Sequence, residues 1–336
     1  MSISLPIRGL VAVMVVAITT IGAPIALSQA APSAADASRI TTTTEYGAQR
    51  EVITVYSASM KREIPLDVLR PADRSRPAPV FYLLNGAGGG EDSASWAVRT
   101  QYQKFFANKH VTVVTPLSGA FSYYTDWQRR DRKLGVQKWQ TFLTKELPPL
   151  MDRYFHSTGR KAIAGISMAG TSVLNLAISA PGLYRMAASY SGCARTSDKA
   201  GQAYIRTVVE SRGGADTRNM WGPYDGPGWV KNDPYVNAAK LRGTQIYLSS
   251  SSGLPGQDES VDVGSTVKEG VTTADRVVVG GAIEAVTNVC TQQMGARLAQ
   301  LRIPARVVIR PTGTHSWGYW ERELHNSWPM IAKSLR

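Results

Sequence analysis

Apolar and polar positions along this 336-residue chain alternate between strand-like and helix-like periods. Residues 51–57 (E-V-I-T-V-Y-S) and 64–69 (I-P-L-D-V-L) carry β-branched and alternating apolar side chains, which predict an opening antiparallel hairpin or meander. Residues 79–84 (P-V-F-Y-L-L) and 111–116 (V-T-V-V-T-P) are apolar without alternation, the pattern of strands covered on both faces. A short apolar run before Gly165 and the stretches 183–191, 245–249 and 306–310 read as further strands. Between them lies helical spacing: Trp139, Phe142, Leu143, Leu147, Leu150, Met151 and Tyr154 share one face, with Pro148-Pro149 predicted to kink or divide that helix. Another helix is predicted over 171–180, ended by Pro181-Gly182, and a terminal one over 317–335 that packs Trp320, Leu324, Trp328 and Ile331. Strands alternating with helices predict an α/β class, with a mostly parallel central sheet covered by helices on both faces.

The segments outside this alternation carry their own information. Arg8 precedes 22 uncharged residues that end in Ser28-Gln29-Ala30, a small-x-small pattern, so residues 1–30 read as a secretory signal peptide cut after Ala30. A retained anchor is the other reading, because the run is long enough to span a bilayer. Residues 31–46 are small and polar without apolar period and predict a linker, leaving 47–336 as a single catalytic domain. Residues 211–235, rich in Gly, Pro, Trp and Tyr, predict a long loop serving as lid or binding surface. The aromatics Phe121, Tyr123, Tyr124 and Trp127 either line a groove or pack internally.

Composition adds compartment and partners. With 43% apolar and 19% charged residues the chain can bury a full core. The formal charge of +13 is spread along the chain, densest at Arg129-Arg130-Asp131-Arg132-Lys133, with no nucleic-acid module beside it. That distribution predicts a basic surface facing an anionic envelope or lipid, and no nucleic-acid partner. Cys193 and Cys290, an even pair in an exported chain, predict one disulfide; two buried thiols are the alternative.

The chemistry centres on Gly165-Ile166-Ser167-Met168-Ala169, a strand–turn–helix elbow in which small flanking residues let the backbone fold back and present the serine. Ala169 stands where a second glycine is usual, and Gly170 follows it. Asn85 to Gly90 holds four glycines in six residues. No Gly-Lys-Ser/Thr closes it as a phosphate loop, so it reads as an oxyanion loop. A serine needs an imidazole to take its proton and a carboxylate to orient that imidazole. Of four histidines, His315 follows the last strand, where the chain order wants the base, whereas His110, His156 and His325 read as structural. Position favours Asp258 or Glu259 as the acid, in the loop after the 245–249 strand, with Glu284, Asp275 and Asp262 also open. No metal or cofactor is called for.

With these residues assembled, the chain resembles the secreted mycolyltransferases of the antigen 85 type, within the α/β-hydrolase superfamily. The likeness rests on Leu83-Leu84-Asn85-Gly86, Tyr124-Thr125-Asp126-Trp127, Lys138-Trp139, Thr141-Phe142-Leu143-Thr144 and Gly165-Ile166-Ser167-Met168. Met220-Trp221-Gly222-Pro223, Asn232-Asp233-Pro234 and Gly313-Thr314-His315-Ser316-Trp317 with Tyr319-Trp320 follow in the same order. The resemblance implies Ser167 as nucleophile, His315 as base and Glu284 as acid, the last by setting Ala282-Ile283-Glu284 on the family's Phe-Leu-Glu. It implies the Ala87 and Met168 amides as oxyanion hole, and Asn85 and Trp317 on the substrate side. Where the family holds trehalose with a carboxylate and an arginine, this chain has Asn85 and Gly88. The activity implied is transfer of mycolyl groups from trehalose monomycolate to a second trehalose monomycolate or to cell-wall arabinan. An exported carboxylesterase and a non-catalytic carbohydrate- or matrix-binding protein are the alternatives.

Overall fold

The computed structural model describes residues 1–2, 37–259 and 275–336. Among them no helix is long and apolar enough to cross a membrane; the stretch predicted as signal peptide or anchor lies outside all but its first two residues.

Residues 37–336 form one unit, built on a nine-stranded sheet in the order β1-β2-β3-β5-β4-β6-β7-β8-β9. The strands are β1 (Arg39–Glu45), β2 (Arg50–Ser57), β3 (Arg62–Leu69), β4 (Val80–Leu84), β5 (Thr112–Pro116), β6 (Lys161–Ile166), β7 (Met186–Tyr190), β8 (Gln245–Ser251) and β9 (Ala305–Arg310). From β5 to β9 every pairing is parallel, and β1, β2 and β3 complete the sheet antiparallel. The predicted opening meander and mostly parallel α/β sheet are what the chain adopts. Burial follows the patterns that predicted them. In β2 buried positions alternate with half-buried ones, whereas β4, β5, β6 and β7 are buried throughout, because crossover helices cover both faces of a parallel sheet.

Two predicted boundaries differ. The stretch predicted as a linker contains β1, an edge strand with an almost wholly exposed run of threonines. Those β-branched residues suit an extended backbone, but a strand wet on both faces has no apolar alternation to detect. The helix predicted over 139–154 forms as Trp139–Thr141, a wider π-turn over Phe142–Glu146, and α1 (Leu147–Phe155). Pro148 and Pro149 lack the N–H groups an unbroken ladder needs, and they sit in the first turn of α1, where no intrahelical donor is required.

The region 211–235 is not an open lid. It folds into two short helices, Thr217–Trp221 and Pro227–Lys231, that bury Met220, Trp221 and Trp229. The Trp221 and Trp229 rings meet edge to face at 5.1 Å. Tyr123, Tyr124 and Trp127 are buried as well, so these aromatics serve as packing rather than as a groove.

Candidate active site

Ser167 ends β6 and opens α2 (Met168–Ser179) with φ 55° and ψ −122°, a conformation that costs a non-glycine residue about 1–3 kcal/mol. The turn is pinned from both sides: Ser167 N–H donates to the Tyr190 carbonyl at 2.8 Å, and Gly170 N–H donates to the Ser167 carbonyl at 2.9 Å. Close approach explains the preceding glycine. A Cβ on Gly165 would lie 2.7 Å from that of Ala169, so residue 165 must be bare while position 169 accepts a methyl group. The side-chain oxygen of Ser167 is thereby presented at the carboxyl end of a central parallel strand, above a helix amino terminus.

His315 lies in the turn after β9. Its Nε2 is 2.8 Å from Ser167 Oγ and its Nδ1 is 2.7 Å from Glu284 Oε2. Glu284 is buried in the first turn of α4 (Gly281–Gln300); α3 (Lys199–Arg206) lies between α2 and α4 in the chain. The other Glu284 oxygen accepts from Ser191 Oγ at 2.8 Å, Ser250 Oγ at 2.8 Å and Ser251 N–H at 2.6 Å. Four hydrogen-bond partners from three chain segments therefore converge on the Glu284 carboxylate, which offsets the cost of burying it. Trp320 braces it: its indole N–H donates to Ser191 Oγ at 3.0 Å and its ring meets the His315 ring edge-on at 4.8 Å.

The positional nominees for the acid are employed elsewhere. Asp258 forms a two-pronged ion pair with Arg322 at 2.8 and 3.1 Å, and Glu259 binds the residues on either side of His315. Asp275 is exposed, and Asp262 lies outside the described residues. The remaining histidines hold structural places. His110 Nε2 faces the Pro77 carbonyl at 3.2 Å, His156 closes α1 in a left-handed conformation, and His325 stacks on Phe105 at 4.0 Å. Burial holds the His325 imidazole below its ordinary pKa.

The glycine loop lies against the elbow, since a Cβ on Gly86 would sit 3.6 Å from that of Ser167. The loop is braced by Phe121 N–H, which donates to the Ala87 carbonyl at 2.8 Å. Met168 N–H is a first-turn amide of α2, one of those a helix leaves without an internal partner. Asn85, expected on the substrate side, is fully buried instead: its amide donates to the Pro116 carbonyl at 3.0 Å and accepts from Trp96 N–H at 3.1 Å. Both ends of the buried amide thus help to shape the loop. Trp317 is half-buried and packs edge-on against Trp96 and Trp320 at 5.4 and 5.3 Å.

Tyr204, on α3, escaped the sequence reading. Burial and then the Glu284 charge push its phenol well above the ordinary tyrosine range, while the nearby Ser167 hydroxyl opposes that shift. A tyrosine on an amphipathic helix carries no motif, so nothing in the linear order connected it to the elbow.

Cys193 and Cys290 form a disulfide with Cα atoms 4.9 Å apart, tying the segment after β7 to the helix that carries Glu284. The bridge spans 97 residues of chain, and closing a loop of that length restricts the unfolded state by about 3–5 kcal/mol. Replacing both cysteines by serine is expected to lower stability by that amount in denaturant titrations. An unchanged midpoint would mean that the bridge adds nothing.

The arrangement can deprotonate a serine against an ester and shelter the oxyanion that forms. Comparison with known proteins agrees in kind. A family described as putative esterases matches residues 57–330. The chain is 31% identical over 292 residues to the diacylglycerol acyltransferase/mycolyltransferase Ag85A of Mycobacterium leprae, covering 85% of this chain and 83% of that protein. It is equally similar to Ag85A of Mycobacterium tuberculosis, 81% of which is covered. Among solved structures, MPT51 of Mycobacterium tuberculosis superposes with a TM-score of 0.70 at 24% identity, over 88% of this chain and all of that one. An S-formylglutathione hydrolase from Agrobacterium tumefaciens superposes with a TM-score of 0.64 at 15% identity, over 88% and 99% of the two chains, and shares the fold. The chain has the α/β-hydrolase fold and belongs to the putative-esterase family, within it to the antigen 85 type.

Proposed function

We propose that this protein is an exported acyltransferase that moves mycolyl groups from trehalose monomycolate to a second trehalose monomycolate or to cell-wall arabinogalactan, through an acyl-enzyme on Ser167. The observation that supports this reading most is the unbroken chain from Glu284 through His315 to Ser167, at 2.7 and 2.8 Å, in a relative of the Ag85A mycolyltransferases. In the first step His315 Nε2 takes the Ser167 proton as Oγ attacks the ester carbonyl, and the Met168 and Ala87 amides hold the oxyanion. Glu284 keeps Nδ1 protonated and stabilises the imidazolium. His315 then returns the proton to the departing trehalose oxygen. In the second step a sugar hydroxyl gives its proton to His315 as it attacks the acyl-enzyme, the bond to Ser167 Oγ breaks to release the new ester, and His315 returns that proton to Ser167 Oγ.

The basic chain suits an anionic envelope surface, and the signal-peptide reading of residues 1–30 suits export. Trp317, two residues beyond His315, is the aromatic surface offered to a substrate. The acceptor sugar is not assigned to Asn85.

Incubation of purified protein with labelled trehalose monomycolate tests the reading. Labelled trehalose dimycolate is the expected product. Free mycolate without dimycolate would make the enzyme an esterase that uses water as acceptor. No turnover, together with no labelling by a serine-directed phosphonate, would leave a non-catalytic binding protein.

A further inference from the structure

A second carboxylate stands behind the histidine. Glu259 is buried at the end of the loop after β8, and it takes no part in the relay described above. One of its oxygens accepts from Thr314 Oγ1 at 2.6 Å and, at the longer distance of 3.4 Å, from Ser316 Oγ. The other accepts from Tyr319 OH at 2.5 Å and Gly256 N–H at 2.9 Å. Thr314 and Ser316 are the two covalent neighbours of His315.

We propose that Glu259 is a positioning residue for His315: it holds the side-chain hydroxyls of both covalent neighbours of the imidazole and so sets the approach of Nε2 to Ser167. The inference rests on His315 being the base, as proposed above. Residues 311–316 belong to no helix or strand, so the imidazole has no regular element to hold it. What holds it is a set of stitches to the segment after β8 and to the start of the helix that carries Glu284. Gly253 N–H donates to the Gly313 carbonyl at 2.9 Å, Gly313 N–H donates to the Leu254 carbonyl at 2.7 Å, and His315 N–H donates to the Gly280 carbonyl at 3.1 Å. Among the side chains described, Glu259 alone reaches both neighbours of the histidine. The adjoining Asp258–Arg322 pair locks the same two segments, which meet so closely that a Cβ on Gly318 would fall 2.1 Å from an Asp258 oxygen.

Burying an ion is costly unless donors surround it, and the donors here come chiefly from the histidine-bearing segment. Burial alone would push the Glu259 carboxyl up, but the Thr314, Tyr319, Gly256 and Ser316 hydrogen bonds outweigh it and keep the group below the ordinary carboxylate range. The clamp is therefore an ionised acceptor at neutral pH. A neutral amide of the same shape would turn one accepting oxygen into a donor facing hydroxyls that already donate.

The test uses the full chain and near-isosteric variants. Glu259→Gln disturbs both sides of the clamp, Thr314→Val removes one of them, Thr314→Ser keeps the hydroxyl, and His315→Ala is the reference. Steady-state hydrolysis of a soluble p-nitrophenyl ester gives kcat and KM separately. Since a displacement of about 1 Å in a reacting group can cost about 100-fold, kcat is expected to fall about 10- to 100-fold in Glu259→Gln and in Thr314→Val with KM unchanged. Thr314→Ser is expected to restore most of it. The double variant should be no slower than the worse single one, because both act through one contact.

A kcat within about twofold of the parent in both single variants, while His315→Ala is inactive, overturns the clamp and leaves the triad standing. A raised KM with unchanged kcat, or losses that multiply in the double variant, also overturns it. An active His315→Ala enzyme overturns the triad reading itself, and the clamp with it. Thr314→Val carries the test should Glu259→Gln fail to fold.

Discussion

Ser167→Ala is expected to lower acyl transfer by about five to six orders of magnitude, the loss seen when the nucleophile of a serine-hydrolase relay is removed. The reason is local. The whole convergence of hydrogen bonds, from Ser191, Ser250 and Ser251 through Glu284 to His315, ends on one oxygen, at 2.8 Å from Nε2. Without that oxygen no covalent intermediate can form, and only the oxyanion amides and substrate binding remain to accelerate the reaction. The backbone should not change, because alanine meets the same strain as serine at φ 55° and the turn is pinned by main-chain bonds to Tyr190 and from Gly170. Thermal unfolding should therefore match the parent, and phosphonate labelling should vanish. Labelling that persists would place the reactive serine elsewhere.

Glu284→Gln carries the second-largest effect, a fall in kcat of about 10⁴-fold with little change in KM. The environment of the carboxylate decides how the amide must sit. Ser191 and Ser250 could rotate their hydroxyl protons away from an amide nitrogen, but Ser251 N–H cannot, and it meets the inner oxygen at 2.6 Å. The glutamine oxygen is thus held on the Ser251 side and its NH2 group is turned toward His315 Nδ1. An N–H facing Nδ1 favours the tautomer with its proton on Nε2, which cannot accept the Ser167 proton. Measuring kcat and KM for this variant beside Asp258→Asn checks the assignment. If Asp258→Asn were the more damaging, the relay would have been assigned to the wrong carboxylate.

Local chemistry made much of the fold legible. Runs of apolar and β-branched residues without strict alternation marked the strands that became β4 and β5, because both faces of these strands are buried. The elbow was legible because its backbone demands small residues at fixed offsets, and Gly165 meets that demand through contact with Ala169. The limits were equally physical. The strand at Arg39–Glu45 showed no alternation because only Ile40 packs against the core and its other residues are exposed. The aromatic-rich stretch 211–235 resembled a loop because its helices have five residues each, too short to display a period. Asn85 was set on the substrate side by resemblance, and its hydrogen bonds to Pro116 and Trp96 came to light only in the folded chain.

By itself the sequence determined the alternation of strands and helices, the serine at a strand-to-helix turn and the histidine after the last strand, because each follows from steric or hydrophobic demands met within a few neighbouring residues. Position along the chain could not say which carboxylate meets the histidine; resemblance pointed to Glu284, and the physical choice is made by tertiary structure. Asp258, Glu259 and Glu284 are all acidic residues downstream of β8, and linear order cannot rank them. Folding α4 against β8 and bridging Cys290 to Cys193 carries Glu284 to Nδ1, while the same packing turns Asp258 to Arg322 and Glu259 to Thr314. The deciding quantity is the cost of burying a charge, which is offset only where donors from distant segments converge, and that convergence exists only once the chain has folded.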